Sequence, residues 1–319
     1  MKKVVSMGLH ICDIHGRPVT SIPEGQSLSI LEETKISVAG TAAGTSVDMA
    51  KLGLEVYAMG ATGDDTMGDL MRDTMQSYNI NTLGLIRKTG VQTSTSILLI
   101  RPNGERPALH VPGANSLYTI DDVNFPILAK TDFLHFGGTG LLPGIDGEPS
   151  RKILEFAKRH SVVTTFDLIA MPNEALLSLI EPCLEFVDYF MPGLEEAEMI
   201  CGLRNREEIH KFFLNRGAAH TVFKNGSDGS YIGWLDDGQL QEIHIPALQT
   251  RVVDSTGCGD SYCAGFIKAL SLEKSLPACG KIGSICGALV ISGLGSDTGI
   301  IDWPQVERIM DDITRIPHN

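Results

Sequence analysis

The sequence predicts an α/β protein: a mostly parallel sheet covered by helices on both faces, with a small β-sheet inserted as a lid. Three observations carry this. From Phe133 onward, short apolar runs alternate with helix-patterned segments at the spacing of successive βα units. Two patches near 16–38 and 93–111 instead alternate polar and apolar residues, broken by Pro18, Pro23, Gly25 and an Asn103-Gly104 turn. Finally, the small residues Gly257-Cys258-Gly259 join a strand end to a helix.

The elements follow in order. Val4–Met7, ending at Gly8, reads as a central strand, and the stretch is too short and polar for a signal peptide. The first lid patch follows, and then a loop from Gly40 that runs into a helix ending near Leu52. Leu54–Met59 is a strand, and Thr66–Tyr78 is a helix with Met67, Leu70, Met71 and Met75 on one stripe, a core-filling pattern. Beyond the second lid patch come strands at Phe133–Phe136, Val162–Phe166, Val187–Met191 and Thr221–Lys224. The helices between them lie near Pro149–His160, Asn173–Ile180, Leu194–Cys201 and Arg206–Arg216. A hairpin (Ser230–Leu235, Leu240–Ile245) precedes helices near Gly257–Leu272, Leu276–Ser292 and Pro304–Thr314.

The 319 residues are 43% hydrophobic and 20% charged, with a net charge of −13. Such a surface argues against nucleic acid or an anionic membrane as the partner, since both need clustered Lys and Arg. It leaves phosphate ligands open, because backbone N–H groups bind them without charged side chains. The seven cysteines are scattered and form no CxxC pair, as expected of buried thiols in a reducing cytoplasm. No apolar run approaches the ~20 residues of a membrane span, and no His/Cys spacing suggests zinc. Neither G-x-x-x-x-G-K-[ST] nor G-x-G-x-x-G after the first strand occurs.

The segment Arg251–Leu270 carries the chemistry. Its helix begins at the small-residue turn, so the N–H groups of Gly257, Cys258, Gly259 and Asp260 can cradle a transferring phosphoryl group. Asp260 either caps that helix or takes a proton from an attacking hydroxyl. Cys258, at a helix N-terminus, is a candidate for a lowered thiol pKa. His10 and His110 are candidate substrate contacts, and His135 lies near a strand end. Asp167 either touches ligand or caps Leu168, and Gly137–Gly140 either approaches ligand or makes a plain turn. Arg101 and Arg106 flank the lid turn, as solvated charges or as a clasp on an anionic substrate.

Asp254-Ser255-Thr256-Gly257-Cys258-Gly259-Asp260 resembles the D-T-x-G-A-G-D signature of the ribokinase-like (PfkB) carbohydrate kinase family. Gly40, Gly60–Gly68, Met191–Glu198 and Lys224–Gly229 resemble further family motifs, in family order along nearly the whole chain. The resemblance implies a three-layer α/β/α sandwich over 1–319 as a single domain, with a lid from about 16–38 and 93–111 and often a homodimer through the lids. It implies ATP-dependent phosphorylation of a sugar or sugar-like hydroxyl, with Asp260 as base and the 257–260 amides as anion hole. Asp13, Gly40, Gly44 and His10 would meet the substrate, and Lys224, Gly226, Gly229 and Gly193 the nucleotide. Glu196 would organise Mg²⁺ through water, and Asp254 with Thr256 matches a K⁺ loop. Three family asparagines are replaced, by Ile11, Gly44 and Gly193, and Ala39 stands for a family glycine. These departures argue against assignment to ribose. They leave open a nucleoside kinase with Leu9, Ile11 and Ile97 covering the base, and a non-catalytic sensor.

Overall fold

The computed structural model describes residues 1–169 and 175–315. The strands are β1 (Lys3–Gly8), β2 (Ile11–Arg17), β3 (Glu33–Ala39), β4 (Glu55–Gly63), β5 (Asn81–Lys88), β6 (Thr95–Leu99), β7 (Ala108–Val111), β8 (Phe133–Thr139), β9 (Val163–Leu168), β10 (Tyr189–Phe190), β11 (His220–Lys224), β12 (Ser230–Asp236) and β13 (Gln239–Ile245). The helices are α1 (Ala43–Lys51), α2 (Thr66–Ser77), α3 (Phe125–Leu128), α4 (Glu148–Arg159), α5 (Leu176–Leu184), α6 (Leu194–Cys201), α7 (Arg206–Leu214), α8 (Cys258–Ser271), α9 (Leu276–Ile291) and α10 (Trp303–Arg315).

Nine strands form one sheet in the order β13-β12-β11-β10-β9-β8-β1-β4-β5, parallel except for the terminal hairpin. Its two faces are separate cores. Successive residues point to opposite sides, so Val222 packs with α1, α2, α8 and α9 while Phe223 packs with α4–α7. The strand order reverses at β1, between β8 and β4. In open α/β sheets, the crevice at the carboxyl ends beside such a switch point is where ligands bind. Here the two strand ends cross tightly: Gly8 has φ +130°, and a Cβ on it would lie 1.8 Å from the Gly137 carbonyl oxygen.

The second sheet has the order β3-β2-β6-β7. Its cross-strand register puts Ser37, Asp13, Ser96 and His110 in one row, and Ile36, Ile14, Ile97 and Leu109 in the next. The first row is polar and largely buried against the crevice. Ile36, Ile97 and Leu109 in the second are 46–60% exposed. One polar face and one apolar face on a four-stranded sheet is the inverse of an ordinary surface sheet.

Several expectations shift. The small sheet begins at Ile11, not near Gly16, because the chain turns at Leu9-His10 straight from β1 into β2. β5 was not foreseen; Gly84 interrupts its pattern, and it pairs only with β4 as the sheet's edge. The expected strand 187–191 shortens to Tyr189–Phe190, and Leu70 is partly exposed while Met71 and Met75 are buried. Of the helix expected at 173–180, residues 173 and 174 lie outside the described ones; α5 runs Leu176–Leu184. The seven cysteines are free, mostly buried thiols. Among the described residues no helix is long and apolar enough to cross a membrane.

Candidate active site

α8 opens at the carboxyl end of the large sheet. Gly257 adopts φ 77°, a left-handed conformation that L side chains resist, and a Cβ there would lie 2.5 Å from the Ser296 Cβ. The turn therefore needs glycine twice over, for its backbone and for its neighbour. The N–H groups of the first helical turn have no partner within the helix, and the helix dipole adds positive potential where they point. α9 packs close behind: a Cβ on Gly287 would sit 3.1 Å from the Cys258 carbonyl oxygen.

Asp260 lies in this first turn, partly exposed. Its pKa is pushed up to about 7, first by burial among protein atoms and then by the negative charge of Asp167, against Lys224 and Arg106. Gly44, in α1, faces it; a Cβ there would be 3.2 Å from Asp260 Oδ2. The glycine that replaces the family asparagine thus leaves room directly beside the carboxylate. Gly40 keeps α1 close to β1, since a Cβ there would lie 2.7 Å from the Leu9 carbonyl oxygen.

Lys224 ends β11, and its ammonium lies 2.6 Å from Asp167 Oδ2 at the end of β9. Asp167 is buried and Lys224 nearly so. Burial disfavours the lysine's charge, but Asp167, with Cys263 and Glu196 adding to it, more than offsets this, so the Lys224 pKa is raised. The same ammonium is the nearest atom, at 3.4 Å, to a Cβ placed on Gly259, which puts a fixed cation beside the amide cradle. Asp167 thus does more than cap Leu168, whose N–H its Oδ1 accepts at 2.9 Å.

The residues of the Met191–Glu198 and Lys224–Gly229 motifs lie side by side. Gly193 and Lys224 form a parallel bridge. Glu196 accepts the Gly193 N–H at 2.7 Å. Gly229 has φ +95°, with the Ile245 carbonyl oxygen 2.0 Å from where its Cβ would be. Beside them opens a cleft of about 250 Å³, lined by Lys224, Gly226, Gly229, Cys258 and Gly259 at one end. Its remaining wall includes Leu248, Val252, Ser284, Gly287, Ala288 and Ile291. The wall from α9 was missed; the small residues at 283, 284, 287 and 288 were its only sign in the sequence.

Asp13 sits on the inner row of the small sheet, 5% exposed, and its Oδ1 has no hydrogen-bond partner. Burial raises its pKa, with His15, the Ser96 hydroxyl and Arg106 opposing. Arg106 also bears on Cys258 and Asp260, so its charge lies over the crevice; Arg101 is instead 3.9 Å from Glu105. The lid turn is anchored there, with the Ser255 N–H and hydroxyl both donating to the Gly104 carbonyl (3.3 and 3.1 Å).

Other candidates are placed differently. His10 is fully buried; its Nδ1 lies 2.9 Å from the Gly8 carbonyl, and burial lowers its pKa to about 4. His135 joins Thr165 and the Thr41 carbonyl within the sheet, and His110 pairs with Ser96. Cys258 is corrected: burial raises its thiol pKa, which outweighs the helix terminus and Arg106. Ile97 faces outward, so it cannot cover a nucleoside base. Gly137 ends a strand and touches Thr41, with the Thr41 carbonyl carbon 2.8 Å from its would-be Cβ.

Asp254 and Thr256, the residues expected to match a K⁺ loop, are bonded to each other. Asp254 is buried, and its Oδ1 accepts from the Thr256 N–H (2.9 Å) and hydroxyl (2.6 Å). Its Oδ2 accepts from the Gly295 N–H at 2.9 Å and lies 3.2 Å from His15 Nδ1. Burial pushes Asp254 up, but His15, Thr256 and Gly295 more than offset this and leave it at about 2. Three hydrogen bonds and a neighbouring imidazole thus engage this carboxylate.

The three-layer α/β sandwich thus carries Asp260 at the start of α8, with a cleft between Lys224 and α9 beside it. Residues 1–303 match the pfkB family carbohydrate kinase, and the chain belongs to that family. It is 27% identical over 303 residues to a 5-dehydro-2-deoxygluconokinase of Lacticaseibacillus casei, covering 88% of this chain and 89% of that one. Its fold matches a putative ribokinase II from E. coli in complex with ATP and Mg²⁺ (TM-score 0.84, 18% identity, 98% of this chain and 100% of that one). It also matches a nucleoside kinase from Methanocaldococcus jannaschii (TM-score 0.76, 22% identity, 98% and 99%).

One outcome follows from this geometry. Lys224→Met leaves Asp167 buried and unpaired and should cost about 3–5 kcal/mol in urea unfolding.

Proposed function

We propose that this carbohydrate kinase transfers the terminal phosphoryl group of ATP to a hydroxyl of a sugar or sugar-like molecule, with Asp260 as general base. The observation that carries this reading is the Asp260 carboxylate in the first turn of α8, beside both the amide cradle and Lys224. Its pKa of about 7 suits a base that works near neutrality. The nucleotide base would occupy the apolar cleft, with its phosphates running past Gly226 and Gly229 to Lys224. The substrate hydroxyl attacks the terminal phosphorus, the bond to the bridging oxygen breaks, ADP leaves, and Asp260 accepts the proton. The N–H groups of Gly257–Asp260 and the Lys224 ammonium meet the charge on the moving phosphoryl oxygens.

Asp13, with its unpartnered buried oxygen, would accept a substrate hydroxyl from the lid side. Mg²⁺ neutralises phosphate charge when bound. Glu196 is the residue to hold it through water: it caps the loop at Gly193, and its charge acts on Lys224. No group of three or more potential ligands forms among the described residues, which fits a metal carried chiefly by the nucleotide.

A coupled ADP-release assay with Mg-ATP against pentoses, hexoses, sugar acids and nucleosides tests the reading. Turnover with a sugar supports it; a rate with nucleosides alone replaces it. Asp260→Asn should lower kcat by at least about 10²-fold while ATP binding persists; retained turnover would sink the mechanism. Asp260 must be ionised to act, so kcat/KM should rise with pH through about 7. Asp167→Asn removes the negative charge that raises Asp260, so this limb should move to lower pH.

The exposed row Ile36, Ile14, Ile97 and Leu109 would pair with the same row of a second copy, making a homodimer through the lids. Leu109→Asp should then shift the sedimenting species from dimer to monomer; an unchanged mass would remove this interface.

A further inference from the structure

Asp48, on the inner face of α1, is fully buried, and its Oδ1 has no hydrogen-bond partner. Its Oδ2 contacts the Ser261 hydroxyl, one residue beyond Asp260. That hydroxyl also lies 2.9 Å from the Gly257 carbonyl oxygen, which accepts the Ser261 N–H at 2.8 Å as well. A hydroxyl carries one hydrogen. If Ser261 donates to Gly257, as a serine one turn along a helix does, the proton between Ser261 and Asp48 must come from Asp48.

The carbonyl of Gly257 and the N–H of Cys258 belong to one planar trans peptide and point in opposite directions. Two hydrogen bonds from Ser261 draw the carbonyl back along α8. They therefore aim the Cys258 N–H forward into the cradle.

We propose that Asp48 is a positioning residue that works as a neutral carboxylic acid, donating to Ser261 so that Ser261 holds the Gly257–Cys258 peptide in its anion-binding orientation. This rests on the anion-hole reading above. An ionised Asp48 would compete with the Gly257 carbonyl for the single hydroxyl hydrogen and loosen the peptide. The surroundings favour the neutral form. Burial raises the Asp48 pKa to about 7, with Asp260 of α8 and Asp297 beyond α9 adding to it; Lys51, one turn on, and the bond to Ser261 oppose. The Lys51 ammonium is engaged elsewhere, at 2.5 Å from the Asp297 carbonyl and above the Tyr78 ring. The Cys286 thiol of α9 and the Tyr78 phenol also face Asp48, and both are raised in pKa, so neither supplies a negative charge near neutrality.

The test compares Asp48→Asn, Asp48→Ala and Ser261→Ala with the wild type in kcat, KM and thermal midpoint across pH 5 to 9. Asparagine can donate to Ser261 at every pH. Asp48→Asn should therefore keep kcat within about threefold at pH 7 and lose the alkaline fall of the wild type, while Asp48→Ala and Ser261→Ala lose about tenfold or more in kcat with KM little changed. The thermal midpoint needs no turnover. An acid whose folded pKa is raised stabilises fully below its unfolded pKa near 4, and loses that stabilisation as pH rises to about 7. The wild-type midpoint should thus fall relative to Asp48→Asn over this range; Asp260 titrates in both proteins, so its own contribution is shared apart from its coupling to Asp48. Parallel thermal curves overturn the inference even if the kinase reading stands. A diverging pair with no turnover on any substrate would instead overturn the kinase reading and confine Asp48 to structure. Asp48→Asn as impaired as Asp48→Ala, or Ser261→Ala with full kcat, also overturns it.

Discussion

The left-handed turn at Gly257 is the constraint on which the rest of the site depends. It ends the approach from Arg251 and starts α8 in a single residue, so the first N–H groups of the helix emerge at the sheet's carboxyl edge. Three neighbours hold it there: Ser296 against its α-carbon, the small residues of α9 behind Cys258, and Ser261 on its carbonyl. None of these supplies charge. They supply direction to backbone dipoles that are already present, and a chain with net charge −13 can thereby offer an anion a favourable place.

The charges that do enter the crevice are arranged as opposed pairs. Lys224 is a buried cation kept ionised by Asp167, and that pair in turn sets the proton affinity of Asp260: Asp167 raises it and Lys224 lowers it. One charge network therefore joins Asp167, Lys224 and Asp260. Arg106 reaches it from the lid, because the Gly104 carbonyl is bonded to Ser255, just ahead of the left-handed turn.

The small sheet is tied to this turn at more than one point. His15 and Ser37, on its inner face, contact each other at 2.7 Å, and His15 contacts Asp254. Ser296 donates to the Val38 carbonyl at 3.0 Å, and Lys35 bonds the Leu294 carbonyl and Asp297. Strand pairing alternates the side chains, so one face of four short strands meets the crevice while the other keeps its apolar row outside. The inner face is thereby polar and the outer one apolar.

The sequence by itself determined the architecture and the chemical kind of site. Strand and helix periods at 133–224 required a covered parallel sheet, and the small residues before Asp260 required a tight turn into a helix. These signals are legible because each rests on neighbours in the chain: a period of two or 3.6 residues, or a glycine where a turn needs one. The edge strand β5 was hidden because Gly84 interrupts its pattern, and the start of the small sheet was hidden because strand and corner share apolar residues at 9–11. Only the tertiary structure decided which charges meet. Asp167 and Lys224 lie far apart in sequence, as do Asp48 and Ser261, or His15 and Asp254. Whether a carboxylate ends beside an ammonium, a hydroxyl or an imidazole sets its protonation and its capacity to bind an ion. No local pattern records that, because burial and partner are properties of the packed whole.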